Sequence, residues 1–212
     1  MNLNTLTRSN ASIGNTLESL GRIHGPSVNI AIFQRSVHHL EEELNRLLES
    51  QVKIRVAGTL QEIEDALASN FAALGLEGSE VLADIMTLID GFKSITKAYK
   101  YRVFLATVDS NMCRRFHTDI NDLRMICTYL GKGTLWVDEE GLDRDLLHAQ
   151  SQKPEFVQAD ECIRYSRAGE VLILKGALYP NGEAVIHRSP TIEDLGEKRL
   201  LLRIDSFTDT FA

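Results

Sequence analysis

The sequence lacks the features that mark membrane proteins and exported proteins. No segment approaches the roughly 20 apolar residues that a membrane-spanning helix needs, and the chain opens without an apolar stretch behind a basic start. Only three cysteines are present, Cys113, Cys127 and Cys162, and none forms a Cys-x-x-Cys pair. We therefore expect a cytoplasmic protein with reduced thiols and no membrane partner.

Basic residues are also in the minority. Lys and Arg number 23 against 30 Asp and Glu, which gives a formal net charge of −7. No run of basic residues interleaved with aromatics stands out against this background. Because a negative chain repels a polyanion, the sequence disfavours nucleic acid as a partner. The 212 residues are 43% hydrophobic, which is enough for a sizeable globular core.

Before about residue 100 the hydrophobic pattern has a helical period. Apolar residues spaced three and four apart predict helices over residues 36–50, 59–74 and 80–97. The second helix opens with a capping box, Thr59 followed three residues later by Glu62. Residues 28–33 and 52–56 are short β-rich stretches between these helices, and they are candidates to extend a sheet of the second half.

After about residue 100 the pattern changes to short β-branched or aromatic runs separated by turn residues, which is typical of an antiparallel sandwich or barrel. Eight strands are predicted, over residues 102–108, 114–118, 123–130, 134–137, 163–167, 171–175, 184–188 and 199–207. The charged segment 138–161 is predicted to be a mobile insertion or lid. We expect one domain, 1–212, of the α+β class, with a mainly helical portion 1–100 packed on a β core at 101–207.

Three side chains of the second half form a candidate metal site. His117 and Asp119 are two residues apart, on or just beyond a predicted strand, so they point to the same face. Together they supply two ligands of the two-histidine, one-carboxylate arrangement, which leaves three adjacent coordination positions open. His187 ends the seventh predicted strand and is the predicted third ligand. The alternative is that both histidines are ordinary hydrogen-bonded side chains, but a metal satisfies all three polar groups together.

Five segments of the second half resemble the iron(II)/2-oxoglutarate-dependent dioxygenases. They are RFHTD (115–119), CTYLGKGTLWV (127–137), GEVLILKG (169–176), VIHRSP (185–190) and KRLLLRIDSF (198–207). The resemblance covers roughly residues 101–207. It implies a double-stranded β-helix (a jelly-roll or cupin-like barrel) that holds iron(II), uses 2-oxoglutarate as cosubstrate and oxidises a small molecule or a protein side chain. The whole chain also resembles an uncharacterised bacterial family defined as a domain of unknown function, and that resemblance suggests a link to metal homeostasis.

In those dioxygenases a basic residue on the last strand pairs with the distal carboxylate of 2-oxoglutarate, and a planar guanidinium suits this two-point contact. Arg199 and Arg203 are four apart on the predicted strand 199–207 and therefore face the same side. We prefer Arg199, which is nearer the metal end, although it lies slightly further from His187 than the family spacing. Arg124 and Tyr129 are secondary candidates for the same carboxylate.

Two other functions are compatible with the triad. One is a cupin-like protein that binds zinc or iron in metal homeostasis without oxidation, since the ligands alone do not name their metal. The other is a hydrolase or lyase that activates a metal-bound water. That reaction needs a nearby base, for which Glu139 and Glu183 are the candidates.

Overall fold

A computed structural model describes residues 10–144 and 160–207 of the chain. Its three α-helices are α1 (Glu41–Glu49), α2 (Leu60–Ala73) and α3 (Glu80–Thr96). Its ten strands are β1 (Ala11–Gly14), β2 (Ile30–Phe33), β3 (Lys53–Gly58), β4 (Lys100–Val108), β5 (Leu123–Leu130), β6 (Leu135–Val137), β7 (Ile163–Tyr165), β8 (Val171–Lys175), β9 (His187–Arg188) and β10 (Arg199–Phe207). Short 3-10 helices occupy Leu17–His24, His38–Leu40, Glu139–Gly141, Asp160–Cys162 and Glu193–Leu195.

The strands form two sheets. The large sheet has the order β1-β2-β8-β5-β10-β4-β3, and the small sheet has the order β7-β6-β9. All pairings are antiparallel except that of β1 with β2. The protein is therefore a mixed α/β structure built around a large, mainly antiparallel sheet.

The alternation of side chains along the strands divides the core into two layers. On β10, Leu200, Leu202 and Ile204 join the cluster that packs against the helices. Leu201 points the other way and packs with Trp136 of the small sheet. The predicted orientation of β10 is therefore confirmed, and the odd-numbered positions of this strand face the space between the two sheets.

The predicted helices are present with shifted ends. The capping box of α2 forms as expected: the Glu62 N–H donates to Thr59 Oγ1 at 3.4 Å, and the Thr59 N–H donates to Glu62 Oε2 at 2.7 Å. The first predicted helix starts later, at Glu41, because a 3-10 turn occupies His38–Leu40. Among the described residues, no helix has both the length and the apolar character needed to cross a membrane.

The first hundred residues contribute more β-structure than predicted. The stretches 28–33 and 52–56 do extend the large sheet, as β2 and β3. β1 was not predicted, and it pairs with β2 at the edge of the same sheet. Three of the seven strands of the large sheet therefore come from the portion that the sequence pattern describes as mainly helical.

Two predicted strands near the candidate site are wrong in extent. Residues 114–118 form no strand, only an isolated antiparallel bridge between His117 and His187, and the strand predicted over 184–188 is reduced to His187–Arg188. The chain at 119–122 instead hydrogen bonds to 176–178. A Cβ on Gly176 would lie 2.1 Å from the Asn121 carbonyl oxygen, so only glycine allows this approach. Most of the insertion predicted over 138–161, residues 145–159, lies outside the described residues.

Candidate metal centre

The backbone places the two histidines side by side. His117 and His187 exchange N–H···O hydrogen bonds of 3.0 Å in both directions, so their side chains emerge on the same face. Their ring centroids are 4.6 Å apart. Asp119 follows two residues after His117, where the Ala177 N–H donates to its carbonyl oxygen at 2.8 Å. A bridge and a short backbone pairing therefore position all three side chains.

The three side chains converge on one point. One ligand atom from each of His117, Asp119 and His187 lies within 4.8 Å of the other two. The Nε2 of His117 is 3.7 Å from Asp119 Oδ1, and the Nε2 of His187 is 3.3 Å from Asp119 Oδ2. The structure therefore brings the predicted triad together.

The other nitrogen of each ring faces a backbone acceptor. His117 Nδ1 lies 3.0 Å from the Arg115 carbonyl oxygen, and His187 Nδ1 lies 3.4 Å from that of Val185. When the proton of each neutral imidazole is on Nδ1, donated to this carbonyl oxygen, the Nε2 lone pair of each ring is available to a metal that also binds Asp119. Imidazole Nε2 and carboxylate oxygens are the donors that iron and zinc accept, so the residues present fit a divalent metal.

The electrostatics favour a charged Asp119. Burial alone would raise the pKa of this carboxyl, but the imidazoles of His117 and His187 and the guanidinium of Arg124 hold it well below its usual range. The carboxylate of Asp119 in turn raises the pKa of His117. Asp119 is therefore an anion at every physiological pH and needs no deprotonation before it binds a metal.

Arg124 forms an ion pair with Asp119. Its Nη1 lies 2.5 Å from Asp119 Oδ2, and its Nε donates to Asp205 Oδ1 at 2.6 Å. The guanidinium is thus fixed between two carboxylates. Arg124 is therefore placed to orient the metal ligand Asp119. Because its Nη1 and Nε already contact carboxylates, it is not available for a two-point contact with the carboxylate of a cosubstrate.

A cavity of about 80 Å³ adjoins the triad and is partly lined by Arg199, Leu201 and Arg203 of β10. One buried water needs roughly 10–15 Å³ measured in this way, so the cavity accommodates more than a single solvent molecule. Cys113 and Ser189 also line it. Ser189 is not among the residues predicted from the sequence, although it lies only two residues after His187.

Arg199 is buried in this cavity, and no acidic residue in the described part of the chain pairs with it. The residue is 2% exposed. Its Nη2 donates to Ser189 Oγ at 3.3 Å, while Nε and Nη1 have no hydrogen-bond partner among the described residues. Burial lowers the pKa of Arg199 to about 10. Burial of a charged guanidinium costs free energy unless an acceptor hydrogen bonds to it. The two unpaired nitrogens therefore mark a site where an anion can bind.

The remaining candidates lie in different surroundings. Arg203 lines the same cavity but is 37% exposed, and its Nε is 3.2 Å from Asp205 Oδ2. Tyr129 is on the opposite face of the large sheet, where its hydroxyl donates to Asp84 Oδ2 at 2.6 Å. On β5, Arg124 and Ile126 line the cavity, whereas Tyr129 packs in the cluster on the helical side, so the structure brings Arg124 to the triad but not Tyr129.

The two candidate bases are held elsewhere. Glu139 forms an ion pair with Arg144 and accepts a hydrogen bond from Asn29 Nδ2 at 2.8 Å. Glu183 lies 3.4 Å from the same arginine. Neither glutamate is among the described residues that line the cavity beside the triad, so neither is placed to act as the base of the hydrolase alternative.

Fold and site together define a mixed α/β protein with a large antiparallel sheet and a candidate two-histidine, one-carboxylate metal centre. The chain belongs to the family described as "Protein of unknown function (DUF1826)", whose model matches residues 14–205. The membership in a domain-of-unknown-function family that the sequence predicted is thereby confirmed. A search of curated proteins finds no significant match.

Two examples illustrate the solved structures that this chain resembles in fold. One is the dioxygenase for auxin oxidation 1 from Arabidopsis thaliana, in complex with 2-oxoglutarate: the TM-score is 0.53 at 10% sequence identity, and the match covers 95% of this chain and 94% of that one. The other is a bsmA homolog from Methylobium petroleophilum, with a TM-score of 0.51 at 12% identity and coverage of 92% and 93%. At these identities the likeness concerns the fold alone.

Proposed function

We propose that this protein is a non-haem iron(II)/2-oxoglutarate-dependent dioxygenase. His117, Asp119 and His187 would hold the iron, and Arg199 would bind the distal carboxylate of 2-oxoglutarate. The observation that carries the proposal is the buried guanidinium of Arg199, which has no acidic partner among the described residues and lines the same cavity as the triad.

The chemistry of the two groups is complementary to 2-oxoglutarate. One end of this molecule is a 2-oxo acid that chelates a metal, and the other end is a carboxylate that suits the fork of an arginine. When bound, iron and 2-oxoglutarate supply the oxidising chemistry, and the protein holds, orients and shields them. A metal site that bound no cosubstrate would leave the Nε and Nη1 of Arg199 without a hydrogen-bond acceptor.

The fold supports the same proposal. We infer that the two facing sheets are a variant of the double-stranded β-helix, with the triad at one end of the space between them. One protein of similar fold, the dioxygenase from Arabidopsis thaliana, was solved with 2-oxoglutarate bound. The substrate would be a small molecule or a protein side chain that approaches His117, the more exposed histidine of the triad.

The decisive experiment is an anaerobic titration of the full chain with iron(II) and then 2-oxoglutarate. Bidentate 2-oxoglutarate on iron gives a charge-transfer absorption band in the visible region, and we expect this band at one equivalent of each. Arg199→Met should keep iron binding but weaken 2-oxoglutarate binding at least tenfold, since a charge-assisted hydrogen bond contributes about 1.5–3 kcal/mol. Absence of the band in protein that has bound iron would rule out 2-oxoglutarate as cosubstrate.

A further inference from the structure

A shelf of arginines continues from the metal cavity toward the open edge of the large sheet. Arg203 on β10, Phe104 on β4 and Arg55 on β3 occupy successive paired positions on one face of the sheet. The guanidinium carbons of Arg55 and Arg203 lie 4.9 and 5.5 Å from the centroid of the Phe104 ring. Phe104 thus orients two cations on the same surface.

Arg102 extends this shelf along β4. Its guanidinium carbon lies 4.3 Å from the centroid of the Phe207 ring, and it pairs across the sheet with Ala57 and Asp205. Arg55 and Arg102 are exposed, and among the described residues their side-chain contacts are with aromatic rings and not with carboxylates. Among the described residues, these two guanidinium groups therefore have no counter-ion.

Within the described part of the chain, Asp205 is the carboxylate that lies beside the shelf. Asp205 is already shared between Arg124 and Arg203, at 2.6 and 3.2 Å. The surface around Phe104 is thus locally positive on a chain whose net charge is −7. Such a local reversal of sign attracts an anion to this one place.

The shelf adjoins the candidate metal centre. A hollow of about 210 Å³ lies on it, lined by Arg55, Arg102, Phe104 and Arg203. Arg203 also lines the cavity of the triad. The hollow and the metal cavity therefore share Arg203 as a lining residue.

We propose that this shelf binds the phosphate group of a small phosphate monoester, and that this molecule is the substrate of the neighbouring metal centre. The second half of the proposal rests on the dioxygenase function. A guanidinium group can donate two parallel hydrogen bonds to the oxygens of a phosphate. The two negative charges of a phosphate monoester balance the charges of Arg55 and Arg102, and Arg203 lies next to them. A polynucleotide fits poorly, because three arginines beside a chain of net charge −7 offer too little basic surface.

The test is a calorimetric titration of the full chain with phenyl phosphate, with phenol as the uncharged probe. The double variant Arg55→Gln/Arg102→Gln should raise the dissociation constant for phenyl phosphate at least tenfold. The matched control is Lys93→Gln/Lys97→Gln, which removes the same charge from exposed positions at the end of α3, on the helical side of the large sheet. This control should change the constant less than twofold.

Three results would overturn the proposal. They are failure of phenyl phosphate to bind in preference to phenol, equal weakening by the two double variants, and tighter binding of a single-stranded oligonucleotide than of phenyl phosphate. The iron–2-oxoglutarate absorption band depends on the triad and Arg199, so Arg55→Gln/Arg102→Gln should retain it. If phosphate binds as expected but the band never forms, the dioxygenase proposal fails and the phosphate site stands.

Discussion

Replacement of Arg199 by methionine should make the metal-free protein more stable while it weakens cosubstrate binding. Methionine has a similar length and no charge, so it removes the unpaired guanidinium without opening a large void. The expected gain follows from the burial of this side chain, which has no acidic partner among the described residues.

The size of the gain can be estimated from the pKa. Burial lowers the pKa of Arg199 from 12.5 to about 10, and one pKa unit corresponds to ~1.36 kcal/mol. A cation whose pKa falls on folding destabilises the folded state at every pH below the folded value, here by about 3 kcal/mol at neutral pH. Unpaired buried donors cost ~1–3 kcal/mol by mutational measures. We therefore expect Arg199→Met to raise the free energy of unfolding by about 1–3 kcal/mol.

The assay is urea denaturation of the metal-free protein at pH 7. Arg203→Met is the matched control: this side chain lies on the same face of β10, but it has Asp205 and the Phe104 ring as partners. The control should therefore lower stability. Iron(II) should stabilise both proteins, whereas the further stabilisation on addition of 2-oxoglutarate should be smaller in Arg199→Met than in the unmodified protein. A loss of more than about 1 kcal/mol in metal-free Arg199→Met would refute the reasoning, because it would mean that the arginine is paired without a ligand.

Three further predictions concern other parts of the molecule. Arg124→Gln should weaken metal binding about 10- to 100-fold, as seen for residues that orient metal ligands, because Asp119 loses its support; metal titration measures this. Iodoacetamide at pH 8 should alkylate exposed Cys113 and spare Cys127, because burial raises the pKa of the Cys127 thiol to about 12; peptide mass spectrometry distinguishes them. Thr59→Ala should lower the free energy of unfolding by about 1 kcal/mol through loss of the α2 cap, measured by denaturation.

Features that depend on local periodicity were predictable from the sequence. Alternation along residues 199–207 places Arg199 and Arg203 on one face, and the strand pairing confirms it. The spacing of two between His117 and Asp119 brings them together, although the predicted strand there is only a bridge. The interaction of these residues with a metal stays a prediction.

Features that depend on strand register were not predictable. Arg124 meets Asp205 only because β5 and β10 pair in one register across 81 positions of sequence. The arginine shelf combines single residues from β3, β4 and β10, so the sequence contains no run of basic residues that would predict it. β1 has only four residues, too few for its period to distinguish it from a loop.

The central claim is that His117, Asp119 and His187 together bind one divalent metal ion. The most direct test is anaerobic titration of the metal-free full chain with iron(II), with His117→Ala and Asp119→Ala alongside His39→Ala, a histidine outside the site. We expect one equivalent to bind the unmodified protein and His39→Ala, and a large loss of affinity in both triad variants. Full metal content in both triad variants would contradict the account.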